Sequence, residues 1–420
     1  MTNYLSLLSL VFLIAAIAVG FIKKLNVGFI AVGFALVIGR ITGMSDKVII
    51  SGFNTSLFVM LVGISYLFSI AQINGTLELI AKKFIALAGK KTYLIPIIMY
   101  ILGAVIAAIG PGTIPAFALA AAFGVPLALA MKTNPLLLTS MGQLGAIGGG
   151  MTAIAPTGII GINLSAQQGI NNVAIPLLGN AIIGSAFFAI ILYIAFKGYK
   201  AGGENPLKLK DLPKFNKNQI ITMLGILLMV TVTIAFKINV GLSSFLIATI
   251  LTIFNIADEK ECIKSMPWGT LILVTGVGVL MNVVIASGGI NIMAKALASI
   301  MNEKTAAPLI GLTSGIMSWF SSTSGVVMPT MIPTVNTVMQ TVGGNLSGPE
   351  LVSAISVVAS VAGLSPASTG GALVLSAYLT NVHLDDEEQN KLFARLFIIS
   401  VCAVIALTLF VGLGGFKFIK

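Results

Sequence analysis

Histidine occurs once in this 420-residue chain, cysteine and tryptophan twice each, and Asp and Glu together only 13 times. Each scarcity removes a class of chemistry. His383, beside Asp385 and Asp386, cannot build a metal centre alone, and its setting is that of a solvated loop. Cys262 lies in a charged stretch and Cys402 inside an apolar run, far apart, which fits neither a metal motif nor a disulfide framework. The acids, Asp46, Glu78, Glu204, Asp211, Asp258, Glu259, Glu261, Glu303, Glu350, Asp385, Asp386, Glu387 and Glu388, all fall in polar stretches or at the ends of apolar runs. A carboxylate kept at mid-membrane costs about 2.5–3.5 kcal/mol and usually marks a proton relay, and none is placed there. With no buried acid pair, no metal cluster and no Ser, His and Asp set, the chain does not read as an enzyme and calls for no cofactor.

What is abundant is apolar: 57% of residues, against 9% charged, with mean hydropathy +1.04. Such a surface suits hydrocarbon, and about 20 residues of helix cross a ~30 Å core, leaving room for roughly ten to fourteen segments. The opening run Tyr4 to Ile22 has no basic region before it and no small-residue cleavage site, so it reads as a spanning helix rather than a signal peptide. The net charge of +11 resides in short Lys and Arg clusters between apolar runs, without a basic face carrying aromatics, which argues against nucleic acid.

Apolar runs cover residues 4–22, 27–44, 55–73, 92–131 and 133–196; they resume at 218–236, 239–256, 268–286, 305–348, 351–382 and 393–416. Between them lies a basic stretch with Lys197, Lys200, Lys208, Lys210, Lys214 and Lys217, two prolines and a Gly pair, the composition of a cytoplasmic connector. A shift of 213 positions places Gly63 on Gly276, Gly75 on Gly288, Ala81-Lys82 on Ala294-Lys295 and Lys91-Thr92 on Lys304-Thr305. The expected organisation is therefore a first repeat over 1–196, a connector over 197–217 and a second repeat over 218–420. If each repeat crosses about five times, an odd number, the second is inverted relative to the first.

Charge placement gives an orientation. With the amino terminus outside, only Arg40, Lys47, Lys237, Lys295, Lys304, Lys417 and Lys420 of the 24 basic residues fall outside, as the positive-inside rule requires. The stretches Ile80–Lys91 and Met293–Lys304 read as matched helices lying along opposite interfaces. The whole is expected to be an all-α, multi-pass protein of the cytoplasmic (inner) cell membrane, in contact with lipid.

Gly, Pro, Ser and Thr concentrate at four points: Gly110-Pro111-Gly112-Thr113, Gly148 to Thr157, Ser321-Ser322-Thr323-Ser324-Gly325, and Gly363 to Gly371. Proline lacks a donor and glycine relaxes the backbone, so helices should break there. Broken helices within a membrane are tolerated around a cavity, where N-termini and hydroxyls attract anions and carbonyls suit a dehydrated cation. Small residues also serve close helix packing. Trp268 reads as an interface anchor, and Trp319 could either line a cavity or pack.

At these residues the sequence resembles the divalent anion:sodium symporters of the ion transporter superfamily, and more closely the malonate-type dicarboxylate carriers. The resemblance rests on Ser51-Gly-Phe-Asn54 leading into Leu61-Val-Gly63, on the repeat layout, and on Ser321-Ser322-Thr323 followed by Met328-Pro329, which is similar to the family's Ser-Asn-Thr hairpin-tip motif. It implies a re-entrant hairpin over 93–128 and another over 305–340, with a broken helix in each repeat. It also implies a substrate set of Gly112, Thr113, Thr157, Ser322, Thr323, Ser324, Ser368 and Thr369, and a sodium set of Gly110, Thr152, Ser321 and Ser365. Gly110-Pro111-Gly112 departs from the motif and offers no side-chain ligands, leaving Thr113, Thr152 and Thr157 to compensate.

The function expected from the resemblance is secondary, sodium-coupled transport of a small organic anion such as malonate, succinate, malate or citrate by alternating access, in a chain that pairs as a homodimer. The alternatives are an uncoupled anion or solute channel, or a carrier for another small anion by proton coupling or exchange.

Overall fold

The computed structural model describes residues 3–202 and 206–419; Gly203 and Glu204 of the connector and Lys420 of the charge pattern lie outside the described residues. Among the described residues the chain forms helices and no strand. This is the backbone's solution for long apolar runs in lipid, since a helix satisfies its own N–H and C=O groups.

In chain order the first part runs α1 (Asn3–Lys23), α2 (Val27–Ile41), α3 (Asp46–Ile50), α4 (Thr55–Ile73), α5 (Thr76–Ala86), α6 (Ile95–Ala108), α7 (Thr113–Ala130), α8 (Pro135–Gly149), α9 (Pro156–Gln167) and α10 (Ala174–Ala195). Two short 3₁₀ turns, Gly198–Lys200 and Leu209–Asp211, mark the connector. The second part runs α11 (Lys217–Phe236), α12 (Val240–Ile253), α13 (Glu259–Ser265), α14 (Trp268–Ala286), α15 (Gly289–Ala298), α16 (Ala306–Trp319), a π turn (Thr323–Val327), α17 (Met328–Met331), a 3₁₀ turn (Ile332–Thr334), α18 (Val335–Val342), α19 (Gly348–Ala362), α20 (Thr369–Asn381) and α21 (Asp386–Gly412).

The order of long, short and broken helices is the same in both parts, and local details recur at the 213-residue shift. Asn26 caps α2 and Asn239 caps α12; Lys24 and Lys237 turn the chain at φ +54° and +52°; Gly75 and Gly288 open α5 and α15 at φ +76° and +82°. The contacts between the parts cross over. A Cβ on Gly276 would stand 2.3 Å from the Gly28 carbonyl oxygen, and one on Gly63 would stand 2.2 Å from the Gly241 carbonyl oxygen. Thus α2 meets α14, and α4 meets α12, backbone against backbone, which only residues without side chains permit.

Only six helices among the described residues are long and apolar enough to cross a bilayer alone, among them Tyr4–Lys23, Ala174–Ala195 and Trp268–Ala286. The apolar runs had room for more, but the breaks divide them. Helices of 12–15 residues such as α6, α8, α9 and α19 extend only about 18–22 Å each. Two boundaries move. The last span begins at Asp386, not near 393, because Asp385 and Glu388 form a reciprocal capping box that carries the helix through its polar first turns. The two helices that carry the charged stretches Ile80–Lys91 and Met293–Lys304 begin at Thr76 and Gly289, about one turn ahead of them.

A smaller apolar core joins α1, α2 and α3 to α14 and α15 through Leu13, Ala35, Ile38 and Leu280; the larger one fills the rest. Outward faces carry Phe29, Ile175, Leu228 and Phe254, large apolar side chains left for lipid. The ion pairs, Arg40–Asp46, Lys82–Glu78 and Lys391–Glu387, are exposed at helix ends and contribute little.

Candidate substrate site among four helix breaks

The chain leaves the helix at 109–112 between α6 and α7, at 150–155 between α8 and α9, at 320–322 ahead of the π turn, and at 363–368 between α19 and α20. In the first hairpin the break is made of backbone. Gly110 sits at φ +136° with the Phe68 ring where a Cβ would be, 2.1 Å away, and Gly112 at φ +79° is closed off by Pro156 at 2.7 Å. Glycine is required at both, by conformation and by space. Thr152 Oγ1 donates to the Ala108 carbonyl (2.9 Å), tying the broken helix to this tip.

The second tip is made of hydroxyls. Ser322 Oγ accepts from the Gly325 N–H (3.1 Å), Thr323 Oγ1 donates to the Ala359 carbonyl (3.0 Å) and pairs with Ser318 Oγ (2.8 Å), and Ser321 Oγ donates to the Met317 carbonyl (2.7 Å). The two broken helices are bridged alike: Gly158 N–H donates to the Gly150 carbonyl and Gly371 N–H to the Gly363 carbonyl, both at 3.1 Å.

These breaks enclose a cavity of about 40 Å³, room for a few waters. It is lined by Thr113, Thr157, Ser322, Thr323, Ser324, Ser368 and Thr369, all from the substrate set read from the sequence, together with Ile114, Phe117, Ser360 and Gly363, which that set did not include. Gly112 adjoins it behind Thr113. Thr113 and Thr157 face each other with oxygens 3.4 Å apart. Phe117 lies one helical turn beyond Thr113, a spacing that the helical period could have flagged.

The sodium set does not line this cavity. Gly110 is packed under Phe68, Thr152 and Ser321 spend their hydroxyls on backbone carbonyls, and Ser365 is buried with its Oγ accepting from Ala367 N–H (3.2 Å). Trp319 does not line it either: Nε1 donates to Ser400 Oγ (3.1 Å) and the ring packs on Phe397. Trp268, at the start of α14, donates to the Ile263 carbonyl.

The cavity wall is polar through hydroxyls and backbone, without a charged side chain. The helices α7, α9 and α20 start at its wall, and none of the three has a side-chain cap. Pro115 and Pro156 carry no N–H, and Gly158 and Gly371 spend theirs on the Gly150 and Gly363 carbonyls, so it is the dipole ends and the remaining first-turn N–H groups that face it. No Lys, Arg, Asp or Glu lines it. Away from the site, His383 lies exposed in a loop. Burial pushes the Cys262 thiol up, with Ser69 hydrogen bonding opposing the shift, so this cysteine is inert. No group of three or more His, Cys, Asp or Glu that could hold a metal ion occurs among the described residues.

Residues 1–150 match the family described as the dicarboxylate carrier protein MatC N-terminus. The match covers the first 150 of the chain's 420 residues. No curated protein matches it by sequence. Among solved structures, the Alcanivorax borkumensis YdaH transporter is similar with a TM-score of 0.57 at 12% identity, covering 87% of this chain and 88% of that one. At that identity the likeness is one of fold. The amino-terminal match is to a carrier family, and the long apolar helices are those of a multi-pass integral membrane protein.

Proposed function

We propose that this chain is a secondary carrier for small dicarboxylates, binding a substrate carboxylate at the uncapped starts of α7, α9 and α20 and at the hydroxyls of Ser322 and Thr369, joined by Thr323 once its hydroxyl leaves the Ala359 carbonyl as the tip moves. The observation that carries this reading is the convergence of three uncapped helix N-termini and eight hydroxyl side chains on one cavity that holds no charged side chain. Backbone dipoles and hydroxyls favour an anion without trapping it as a lysine would. The 40 Å³ cavity is too small for a dicarboxylate, so the tips must part from the surrounding helices on binding, as alternating access requires.

The repeated order of helices, their crossed glycine contacts and the placement of lysines support an architecture of two inverted repeats, 1–196 and 218–420, around a cytoplasmic connector. The helices α6–α7 and α16–α18 would be re-entrant hairpins, in the inner membrane and in a paired chain. Sodium is the proposed coupling ion. Its ligands would be carbonyls released at the breaks near Gly110, Thr152, Ser321 and Ser365, whose side chains are engaged with backbone groups.

Proteoliposomes containing the purified chain should show saturable uptake and counterflow of malonate, succinate or malate, stimulated by an inward sodium gradient. Absence of flux for all of these and for citrate would remove the carrier reading. Flux that is neither saturable nor exchangeable would make the protein a channel, and flux indifferent to sodium would remove only the coupling.

A further inference from the structure

Two larger clefts flank the substrate cavity, and they differ in charge. One, of about 450 Å³, lies between Ser51–Thr55, the carboxy-terminal end of α14, α9 and the prolines Pro329 and Pro333. Its polar lining is neutral: Asn54, Gln167, Thr275 and Asn282 among others, with Asn54 Nδ2 bonded to Asn163 Oδ1 and Asn282 Nδ2 to the Val48 carbonyl, both at 2.7 Å. Charge placement puts this cleft on the outer side.

The other, of about 690 Å³, opens on the opposite side, between the end of α1, the start of α2, the second hairpin tip and Phe393 of α21. It reaches inward to Ser321, Ser322, Pro366 and Ala367, and Ser322 is shared with the substrate cavity. This cleft is therefore the route by which the lysine-rich side of the membrane reaches the site.

Lys24 is the one ionisable residue among those lining it. The backbone fixes its place: at φ +54° it ends α1, with its own N–H on the Phe21 carbonyl (3.3 Å) and Leu25 N–H on the Gly20 carbonyl (2.9 Å), turning the chain into α2. A left-handed conformation on a lysine is uncommon and costs energy. Phe21 meets Phe320 edge to face at 5.4 Å, joining this corner to the hairpin. Lys24 takes part in none of the ion pairs of the described residues. Its neighbour Lys23 lies on α1 and lines no part of the cleft.

We propose that Lys24 is an anion-steering residue of the inner entrance, concentrating the dicarboxylate in the cleft that leads to Ser322. No charged residue lines the outer cleft, Lys295 lining a separate outer cleft beyond Ile285, so the carrier has unequal apparent affinities on its two faces. This rests on the dicarboxylate-carrier reading above. The charge acts through water over several ångströms, so its effect is modest and falls with ionic strength.

The test uses the full chain in oriented proteoliposomes. At low ionic strength Lys24→Gln should raise the apparent KM for malonate or succinate at the inner face about two- to five-fold, leave outer-face KM and Vmax unchanged, and lose its effect near 0.5 M salt; Lys24→Arg should behave as wild type and Lys23→Gln should have no such effect. A readout independent of flux uses Ser321→Cys in a Cys262→Ser, Cys402→Ser background. Its modification by an anionic methanethiosulfonate, relative to a neutral one, should slow about two- to five-fold on adding Lys24→Gln. An unchanged ratio, an equal effect of Lys23→Gln, or equal KM changes on both faces overturns the proposal. Wild-type protein without flux but with the Lys24-dependent labelling ratio would instead remove the carrier reading and keep the charged entrance.

Discussion

The two hairpin tips occupy matching places and are built from opposite materials. At the first, Gly110 and Gly112 leave no room for a Cβ, and the helix before them is welded to its neighbour: on Gly103 and Gly145 of the α6–α8 contact a Cβ would stand 1.9 and 1.8 Å from backbone oxygens of Gly142 and Tyr100. At the second, the corresponding α16–α19–α21 contacts are side chain to backbone or side chain to side chain, with Val358 3.1 Å from a Cβ on Gly311 and Val404 2.7 Å from one on Gly315. The tip itself presents Ser321, Ser322, Thr323 and Ser324. One hairpin is fixed by backbone packing and offers dipoles; the other packs through side chains and offers hydroxyls. A shared order of helices thus does not impose a common chemistry, and ligand selection should fall mainly on the second half.

The packing side of this comparison predicts the largest effects. Gly145→Ala should cost about 3 kcal/mol or more, with loss of monodisperse protein in detergent, because the Tyr100 carbonyl cannot retreat. Gly315→Ala should cost less, about 1–3 kcal/mol, since the atoms it meets are valine methyls of Val404 and Val358 that shift by small helix movements and not a backbone oxygen. Equal thermal-unfolding shifts for the two would break the distinction between a rigid and a compliant hairpin.

The chemical side predicts intermediate effects. Thr323→Val keeps the shape and loses the bonds to Ala359 and Ser318, and dicarboxylate uptake should fall about ten-fold or more in Vmax/KM. Thr113→Val loses only a 3.4 Å contact to Thr157 and should fall about two-fold. The reverse order would shift recognition to the first half. Smallest in function, a triple His383→Ala, Cys262→Ser, Cys402→Ser chain should keep its uptake kinetics, losing within about 0.5 kcal/mol at each of the exposed His383 and Cys402 and about 1–3 kcal/mol at the buried Cys262. Lost transport in that variant would revive chemistry at those side chains.

Sequence pattern made the helices and their four breaks legible, because apolar runs and Gly-Pro clusters act locally. The family resemblance, and not the pattern, named most of the residues that line the cavity. What it left out depends on facing. Phe117 reaches the cavity because the α7 helix turns it back beside Thr113, and Ser321, one residue before a lining serine, turns its hydroxyl to the Met317 carbonyl. A break's composition does not fix the direction of each side chain within it. The start of α21 was hidden differently: hydropathy is blind to polar first turns, although the Asp385 and Glu388 spacing carries the capping signal.

The crossed glycines have a consequence for how the protein is made. During synthesis α2 and α4 enter the membrane with grooves shaped for α14 and α12, which lie some two hundred residues downstream. At about 5–20 residues per second those partners emerge roughly 10–40 seconds later. For that interval the early helices must be held by lipid, by the insertion machinery or by one another. Neither half can complete its fold alone, so a chain cut at the connector should be rescued only when both pieces are made together.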